Sequence, residues 1–269
     1  MFNGKTIVIK YGGAAMQSEA LNAGMAEDVA GLAASGANVV IVHGGGPEIS
    51  SLQKSLGAEP VFVDGSRITD EVTMDAALMA LCGKVNKELV RLLENSECRA
   101  AGISGIDGGI LRCVRQSEPD IGFVGEIKKV DTGLLIVLMD SGYVPVVSTV
   151  GIGEDGLAYN INADIAAGRI AASLAADHLI TISDVPGVMR DAGDPSSIIH
   201  EIREEEAEGL IESGIISGGM IPKARGLADA IRRGVGSALI IDGRTPHTLQ
   251  KWMDGTGAGT RFINGQREH

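Results

Sequence analysis

The sequence predicts an α/β fold with a mainly parallel central sheet, and three observations lead to this prediction. Five short apolar runs are rich in β-branched residues, and each is followed within two residues by a glycine or an aspartate. These runs do not alternate with polar residues, which is typical of parallel strands covered on both faces. Segments with helical periodicity lie between them, and this alternation favours a parallel sheet. The predicted strands are Thr6–Lys10, Asn38–His43, Val144–Thr149, His178–Ser183 and Ala238–Asp242.

Helices are predicted between the strands from the spacing of apolar residues and from capping residues. Apolar side chains recur at helical spacing over Leu21–Leu32, and Gly36 marks the end of this helix. An alanine-rich helix follows Asn162 and ends near Ala176. Thr245-Pro246 predicts a further helix start, with threonine as the N-cap and proline as the first helical residue. In such a fold, functional residues gather at the carboxyl ends of the parallel strands.

The stretch from about Ala101 to Lys129 departs from this pattern. It contains short alternating pieces such as Ile110–Val114 between glycines, which predicts a β-hairpin outside the main sheet. No low-complexity segment or linker interrupts the chain. We therefore expect two lobes with a shallow boundary, spanning residues 1–175 and 176–269.

Composition and charge exclude several classes of protein. Apolar residues make up 44% of the 269 residues and charged residues 22%, which is typical of a globular chain. The formal charge of 23 − 35 = −12 argues against nucleic acid or an anionic membrane surface as a partner, and no apolar run is long enough to span a membrane. The three cysteines show no short metal-ligand spacing, which favours a reducing compartment. The chain enters its first strand without a basic segment or a cleavage site, so a cytoplasmic location is expected.

Two lysines next to glycines are candidates for binding a phosphate. Lys10 ends the first predicted strand and is followed by Gly12-Gly13, so that a cation and backbone N–H groups face the same direction. Lys223 follows Gly218-Gly219 at a predicted helix start, where the macrodipole disfavours a cation unless an anion lies close to it. A solvated surface lysine is the alternative interpretation of each.

A glycine-rich turn follows the second predicted strand, with the sequence His43-Gly44-Gly45-Gly46-Pro47. Three consecutive glycines lose much conformational entropy on folding, so they indicate a place where the backbone contacts a ligand. Pro47 fits the first turn of a helix, whose amino-terminus favours negative charge. A tight strand-to-helix turn without a ligand is the alternative, and His43 is interpreted as a structural residue.

Polar side chains at two further turns are candidates for holding a substrate. Arg67 follows Gly65, and a guanidinium can bind a carboxylate through two hydrogen bonds, although most arginines are solvated surface residues. Asn160, Asn162 and Asp164 alternate along one extended segment before a helix, so they face the same side. A helix cap needs only one of the three, which favours a binding role for the others.

Together these features describe phosphoryl-transfer machinery, since this reaction depends mainly on positioning and on neutralising charge. The arrangement is not a P-loop, because Lys10 precedes its glycines.

In order and spacing, the motifs between residue 5 and about residue 263 resemble the amino acid kinase family. The resemblance implies a three-layer αβα sandwich with an amino-terminal lobe for an acylated amino acid, which also forms the dimer contact, and a carboxy-terminal lobe for ATP. The motifs concerned are Lys10–Gly13, Val42–Pro47, Gly65–Asp70, Asn160–Asp164, Ser183–Val188 and Gly219–Lys223.

The resemblance implies ATP-dependent phosphorylation of the γ-carboxylate of N-acetyl-L-glutamate, the second step of arginine biosynthesis. Lys10 and Lys223 would neutralise charge on the transferring phosphoryl group, and Asp164 would orient both lysines. A γ-carboxylate titrates at a pH of ~4.3, so it is already ionised at neutral pH and needs no general base. Mg²⁺ would be bound through the oxygens of ATP, without metal ligands from the protein.

The resemblance also implies a set of residues for each ligand. The residues for N-acetyl-L-glutamate would be Gly45, Gly46, Arg67, Asn160 and Asn162. The residues for the nucleotide would be Gly12, Gly13, Asp184, Val185, Pro186, Gly187, Val188, Met189, Ile215, Ile216 and Ser217.

Two other functions stay open at this point. A kinase for carrier-protein-bound α-aminoadipate or glutamate, in lysine or ornithine synthesis, would need a basic docking surface. The candidate patch for such a surface is small and consists of Arg112, Arg115, Lys128 and Lys129. A non-catalytic amino-acid sensor of the same fold is disfavoured, because both lysines and Asp164 are present.

We also expect a homodimer that does not respond to arginine. Relatives inhibited by arginine carry a helix before the first strand, whereas the predicted strand begins here at Thr6. Lys251 lies near the place where those relatives have an acidic residue, so the cationic side chain of arginine would meet a like charge. A twofold dimer is the commonest closed assembly.

Overall fold

The computed structural model describes residues 2–16, 18–63, 65–191, 193–257 and 259–265 of the chain. The chain forms two compact units, of which residues 1–39 and 167–269 make the first and residues 40–166 make the second. Residues 1–39 therefore belong to the same unit as the carboxy-terminal residues. The predicted division near residue 175 had placed them in the other lobe. The physical reason is the parallel pairing of the first strand with the strand that begins at His178. Which lobe binds which ligand stays a prediction.

Strands and helices alternate along the chain, and the predicted α/β class is confirmed. The strands are β1 (Thr6–Tyr11), β2 (Asn38–His43), β3 (Phe62–Val63), β4 (Ser66–Arg67), β5 (Ala100–Ser104), β6 (Leu111–Arg115), β7 (Gly125–Val130), β8 (Val144–Ser148), β9 (Val150–Gly153), β10 (Ala158–Asn160), β11 (His178–Ser183), β12 (Glu201–Arg203), β13 (Ser237–Asp242) and β14 (Gly259–Ile263). The helices are α1 (Glu19–Ala34), α2 (Gly46–Ser55), α3 (Glu71–Leu78), α4 (Asn86–Asn95), α5 (Gly133–Asp140), α6 (Ala163–Ser173), α7 (Ala207–Glu212), α8 (Met220–Arg232) and α9 (Thr248–Met253), with a π-helix over Met79–Val85. In the described part of the chain, no helix has both the length and the apolar character needed to cross a membrane.

The five predicted strands are confirmed as β1, β2, β8, β11 and β13, to within one residue at each end. In the first unit the strand order is β12-β14-β13-β11-β1. β1 pairs with β11, and β11 with β13, in parallel, whereas β13 and β14 are antiparallel. The register places Lys10 opposite Thr181 and Ser183 opposite Asp242. The carboxyl ends of three parallel strands therefore meet at one edge of this sheet.

In the second unit, β2 pairs in parallel with β8, and β8 with β5. A separate sheet has the order β10-β9-β6-β7, and its strands β6 and β7 are antiparallel neighbours. The predicted β-hairpin is confirmed in these two strands, but its predicted start near Ala101 is wrong. Ala100–Ser104 belongs to the parallel sheet, where Gly102 leaves room for the side chain of Asn86 from α4.

Two predicted helices of the first unit have different outcomes. The periodicity over Leu21–Leu32 is confirmed in α1, which buries Met25 and Leu32. The predicted helix start at Thr245-Pro246 is wrong, because α9 begins at Thr248. Its amino-terminus is capped from outside by the carboxylate of Asp28 on α1, which accepts the N–H of Leu249 over 3.1 Å and that of Gln250 over 3.2 Å. A cap so distant in sequence makes a local capping residue unnecessary.

Candidate active site

A cavity of about 540 Å³ lies in the first unit, at the carboxyl ends of β1 and β11. Its volume is in the range of about 300–1,000 Å³ that is typical of small-molecule sites. The cavity brings Lys10 and Lys223 to one site although they are far apart in the sequence. The lining residues are Lys10, Gly12, Gly13, Ile182, Ser183, Asp184, Val185, Ser217, Gly219, Met220 and Lys223.

Strand β1 and the turn after it position Lys10. The strand is buried between its neighbours, and Lys10 itself is only 7% exposed. Gly13 has a φ of +71°, a left-handed conformation that residues with a side chain rarely adopt, so the chain turns sharply after the strand. A largely buried ammonium group is stabilised by nearby negative charge. Lys10 is therefore suited to contact an anion in the cavity.

Helix α8 positions Lys223 in its first turn, as the sequence predicted. The helix begins after Gly219, and both Gly219 and Met220 line the cavity. The first N–H groups of a helix lack partners within the helix and carry a partial positive charge. A lysine in the same turn adds to this positive potential, so the wall formed by α8 favours a phosphate group.

Five of the predicted nucleotide residues line this cavity, namely Gly12, Gly13, Asp184, Val185 and Ser217. The other six, Pro186, Gly187, Val188, Met189, Ile215 and Ile216, are not among the lining residues. Packing against β14 explains part of this placement. The N–H of Val188 donates to Oγ1 of Thr260 over 2.8 Å, and a Cβ on Gly187 would lie 2.6 Å from the same oxygen. The nucleotide contacts of all eleven residues stay predictions.

The glycine-rich turn of the second unit connects β2 to α2. Helix α2 has Gly45 as its N-cap and Pro47 in its first turn, so the predicted helix start is confirmed. A Cβ on Gly45 would lie 2.8 Å from Cδ2 of Leu81 and 3.1 Å from Cγ2 of Val85. Close packing on the π-helix therefore requires a glycine at this position. The N–H groups at the start of α2 form a second region that favours an anion.

Arg67 is a buried cation beside this turn, with only 7% of its surface exposed. Its Nη1 donates to Oε1 of Gln53 over 3.0 Å, and its Nη2 donates to Oγ of Ser50 over 2.8 Å and to the carbonyl of Gly46 over 2.9 Å. The guanidinium also faces the ring of Phe62 at 4.7 Å. Each of these partners, within the described residues, is neutral. Burial lowers the pKa of the Arg67 guanidinium, and a bound carboxylate would offset the cost of burying its charge.

The segment from Asn160 to Asp164 joins β10 to α6. Nδ2 of Asn160 donates to Oγ1 of Thr69 over 3.4 Å, and Thr69 in turn donates to the carbonyl of Arg67 over 3.0 Å. Oδ1 of Asn162 accepts the N–H of Asp164 over 2.9 Å, which makes Asn162 a cap of α6. The prediction that all three residues alternate along one extended segment is wrong, because Asp164 already lies in the helix. The proposed role of Asp164 toward the lysines stays a prediction.

Two groups of residues were missed by the sequence analysis. Four residues line the cavity but were not predicted as nucleotide or catalytic residues, namely Ile182, Ser183, Gly219 and Met220. Ser50 and Gln53 hold the guanidinium of Arg67. The sequence does contain a signal for Ser50 and Gln53. Both follow the glycine-rich turn on α2, and their three-residue spacing places them on the same face of the helix.

Two lysines on one cavity and a buried arginine beside a glycine-rich turn define a class of protein that binds anionic ligands. Residues 5–242 match the amino acid kinase family, and the chain belongs to this family. Among its relatives, the acetylglutamate kinase of Heliobacterium modesticaldum is 46% identical over 259 residues, which covers 92% of this chain and 88% of the relative. The acetylglutamate kinase of Clostridium kluyveri is 49% identical over 249 residues, with the same shares covered.

Solved structures of lower identity show the same fold. An N-acetylglutamate synthase from Neisseria gonorrhoeae, complexed with coenzyme A and N-acetyl-glutamate, has a TM-score of 0.84 at 24% identity. The superposition covers 100% of this chain and 61% of the synthase chain. A carbamate kinase from Giardia lamblia bound to AMP-PNP has a TM-score of 0.73 at 19% identity. Here the superposition covers 98% of this chain and 100% of the carbamate kinase chain. These likenesses agree with the predicted fold class.

Proposed function

We propose that this enzyme transfers the γ-phosphoryl group of ATP to the γ-carboxylate of N-acetyl-L-glutamate. The products are N-acetyl-L-glutamyl 5-phosphate and ADP, as in the second step of arginine biosynthesis. Membership of the amino acid kinase family supports the reaction type. The acetylglutamate kinases that are 46% and 49% identical to this chain support the choice of substrate.

The buried guanidinium of Arg67 is the observation that carries the proposal for this chain. Its partners among the described residues are neutral, so a ligand with a carboxylate completes its charge balance. N-acetyl-L-glutamate has an α-carboxylate that does not react, and a guanidinium can hold such a group through two parallel hydrogen bonds. Asn160 is linked to Arg67 through Thr69, which supports its assignment to the same ligand.

The chemistry needs charge neutralisation more than it needs a base. An oxygen of the γ-carboxylate forms the new bond to the γ-phosphorus, while the bond from that phosphorus to the bridging oxygen of ADP breaks. The carboxylate is ionised at neutral pH and has no proton to lose. Lys10 and Lys223 are proposed to neutralise the negative charge on the transferring group, which is the largest contribution a site makes to such reactions. The proposed catalytic set is these two lysines with Asp164.

The cavity of the first unit is proposed to hold ATP together with Mg²⁺. Asp184 is its single lining carboxylate among the described residues, and no described group of three or more His, Cys, Asp or Glu residues is placed to hold a metal ion. A single carboxylate fits a Mg²⁺ ion that is held mainly by phosphate oxygens and water, which is its usual arrangement with nucleotides. Mg²⁺ would supply further neutralisation of phosphate charge.

A homodimer is part of the proposal, because twofold closed dimers are the commonest oligomers. Multi-angle light scattering of the purified chain tests it directly. A mass near twice 27.8 kDa is expected. A monomer or a hexamer would contradict this part of the proposal without affecting the proposed reaction.

The proposed substrate is tested by a panel of acceptors with MgATP. ADP formation is measured with N-acetyl-L-glutamate, N-acetyl-α-aminoadipate and free glutamate, and hydroxylamine traps the acyl phosphate as a hydroxamate. We expect turnover and hydroxamate with N-acetyl-L-glutamate at a kcat/KM at least tenfold above the other two. A preference for the aminoadipate derivative would favour the carrier-dependent alternative, and binding without any turnover would favour the sensor.

A further inference from the structure

His43 is a fully buried histidine at the end of β2 whose two ring nitrogens both have partners. Nδ1 lies 2.9 Å from the carbonyl oxygen of Gly44, and Nε2 lies 3.1 Å from Nδ2 of Asn86. A carbonyl oxygen only accepts hydrogen bonds and an amide nitrogen only donates them. The ring must therefore carry its proton on Nδ1 and accept at Nε2, which is one particular neutral tautomer.

The orientation of the Asn86 amide is determined by its other contacts. The two N–H groups of its Nδ2 are shared among three acceptors, which are Nε2 of His43, the carbonyl of Val146 at 2.8 Å and the carbonyl of Ile103 at 3.2 Å. Its Oδ1 accepts from Nζ of Lys87 over 3.1 Å. A reversed amide would place Oδ1 against two carbonyl oxygens and Nδ2 against an ammonium group. Asn86 thus presents a donor to His43, anchored to the backbones of β8 and β5.

The hydrogen bond from His43 to Gly44 determines the direction of the next N–H group. The carbonyl of Gly44 and the N–H of Gly45 belong to the same peptide unit, which is planar and trans, so the two groups point in opposite directions. Because the carbonyl is directed at the buried ring, the N–H of Gly45 is directed away from it. This N–H is one of the donors proposed for the ligand at the glycine-rich turn.

The π-helix supports the same turn from its other side. Leu81 and Val85 of the π-helix leave no space for a side chain at Gly45, and Asn86 follows Val85 directly. Short π-helical segments are rare and are frequently found at functional sites. One continuous segment, Leu81–Asn86, therefore provides both the apolar surface beneath Gly45 and the amide that orients His43.

We propose that His43 is a positioning residue of this enzyme: held in its Nδ1–H tautomer by Asn86, it fixes the Gly44–Gly45 peptide so that the Gly45 N–H faces the bound ligand. This inference rests on the proposed function for the identity of that ligand. It does not make His43 a general base, since both ring nitrogens are engaged within the protein. Burial also lowers the pKa of His43 to about 4, which keeps the ring neutral at physiological pH.

Two substitutions separate the two hydrogen bonds of the ring. His43→Asn places an amide N–H near the position of Nδ1, so the donor to Gly44 is retained, whereas His43→Gln places its amide near Nε2 and loses that donor. We expect kcat/KM for N-acetyl-L-glutamate to fall by less than about fivefold in His43→Asn and by about twentyfold or more in His43→Gln, since small misplacements in an active site are costly. Melting temperatures of both variants are measured, and all rates are compared well below them.

His178→Asn is the matched control. His178 is likewise a strand histidine, partly buried, with Nδ1 2.8 Å from Oγ of Ser237, but it lies outside the proposed site. We expect its kcat/KM to stay within twofold of wild type. Equal losses in His43→Asn and His43→Gln, or a loss in all three variants that follows only the melting temperature, would overturn the positioning role.

A readout without catalysis separates this inference from the proposed function. Long-range nitrogen–proton correlation spectra of protein labelled with ¹⁵N-histidine report the tautomer of each ring. We expect His43 of the wild-type protein to be neutral with its proton on Nδ1 at pH 7, whether or not the enzyme accepts N-acetyl-L-glutamate. An Nε2–H tautomer or a charged ring would overturn the inference, whereas absence of turnover in the wild type would overturn only the proposed function.

Discussion

Arg67 donates a hydrogen bond through Nη1 to Oε1 of Gln53 over 3.0 Å, and both side chains are buried. Gln53 is itself held at its other end, where Nε2 donates to Oγ1 of Thr73 over 2.9 Å and to the carbonyl of Glu59 over 3.2 Å. The guanidinium is therefore oriented before a ligand binds. Such preorganisation lowers the entropy that binding has to overcome.

We predict that Arg67→Lys weakens the use of N-acetyl-L-glutamate by several tens-fold in kcat/KM. Lysine keeps the positive charge but loses the planar fork that contacts Gln53 and Ser50 together. ATP affinity, measured by calorimetric titration, should stay close to wild type. Arg115→Lys is the control, because Arg115 pairs with Asp120 on the exposed surface. An equal loss of ATP affinity would place Arg67 in a different site.

Lys10→Ala and Lys223→Ala should each lower kcat by about a hundredfold or more. Each lysine is proposed to act on charge that develops in the transition state, and removal of one such contact has effects of this size. KM for N-acetyl-L-glutamate should change much less. Lys5→Ala serves as the control, because Lys5 forms an exposed ion pair with Asp177 before β1. A near-wild-type kcat in either variant would contradict the catalytic role proposed for that lysine.

Gly45→Ala tests the close packing of the glycine-rich turn on the π-helix. The added Cβ would lie 2.8 Å from Leu81, so we expect a loss of about 1–3 kcal/mol in the free energy of unfolding together with reduced activity. Gly209→Ala in α7 is the control, since its Cβ would meet nothing within 4 Å. That change should be neutral or stabilise the helix by about 0.5–1 kcal/mol. Urea unfolding of both variants provides the comparison, and an unaffected Gly45→Ala would show that the turn can move.

Asp28→Ala should destabilise the first unit without acting on the chemistry. The buried carboxylate accepts the N–H groups of Leu249 and Gln250, and these would lose their partner. Unpaired buried groups cost about 1–3 kcal/mol each, so a lower melting temperature is expected. Asp254→Ala is the control, because within the described residues that carboxylate accepts a single hydrogen bond, an exposed one from Nε2 of Gln250. Similar stabilities of the two variants would show that the contact from α1 contributes little.

The stability of the protein should fall below about pH 6.5, partly through His43. Its pKa is about 4 in the folded protein, whereas an unfolded histidine titrates at ~6.5, so the unfolded chain binds more protons between these values. The contribution of His43 is therefore complete above pH ~6.5 and is lost toward pH 4, at no more than about 1.4 kcal/mol for each pH unit. Denaturant unfolding of wild type and His43→Gln across this range should show a steeper decline for wild type. Parallel curves would contradict a neutral, buried His43.

The main strands could be predicted because their information is local. Five continuous apolar runs correspond to β1, β2, β8, β11 and β13 within one residue at each end. Two predictions from local patterns, the start of the hairpin and the start of α9, were wrong because residues distant in the sequence decide them. Ala100–Ser104 pairs with β8 in place of joining the hairpin, and α9 starts later than Thr245-Pro246 because its cap comes from Asp28.

The candidate site shows the same division between local and distant information. Lys10 and Lys223 could be singled out because each lies beside glycines at the end of a predicted strand or the start of a helix. Their common cavity depends on the pairing of β1 with β11 and on the place of α8, which no local pattern contains. The hydrogen bonds of Arg67 likewise could not be predicted from the turn in which it lies.

The sequence by itself determined the class of fold, the glycine-rich turns and the family, because hydrophobic periodicity, turn residues and motif spacing act over a few positions at a time. Only the tertiary structure decided which groups satisfy the buried polar side chains. The bond of Arg67 to Gln53 spans 14 positions, that of Asn86 to His43 spans 43, and that of Asp28 to Leu249 spans 221. The physical reason is that a buried donor or acceptor must find a partner wherever the packed chain brings one within about 3 Å.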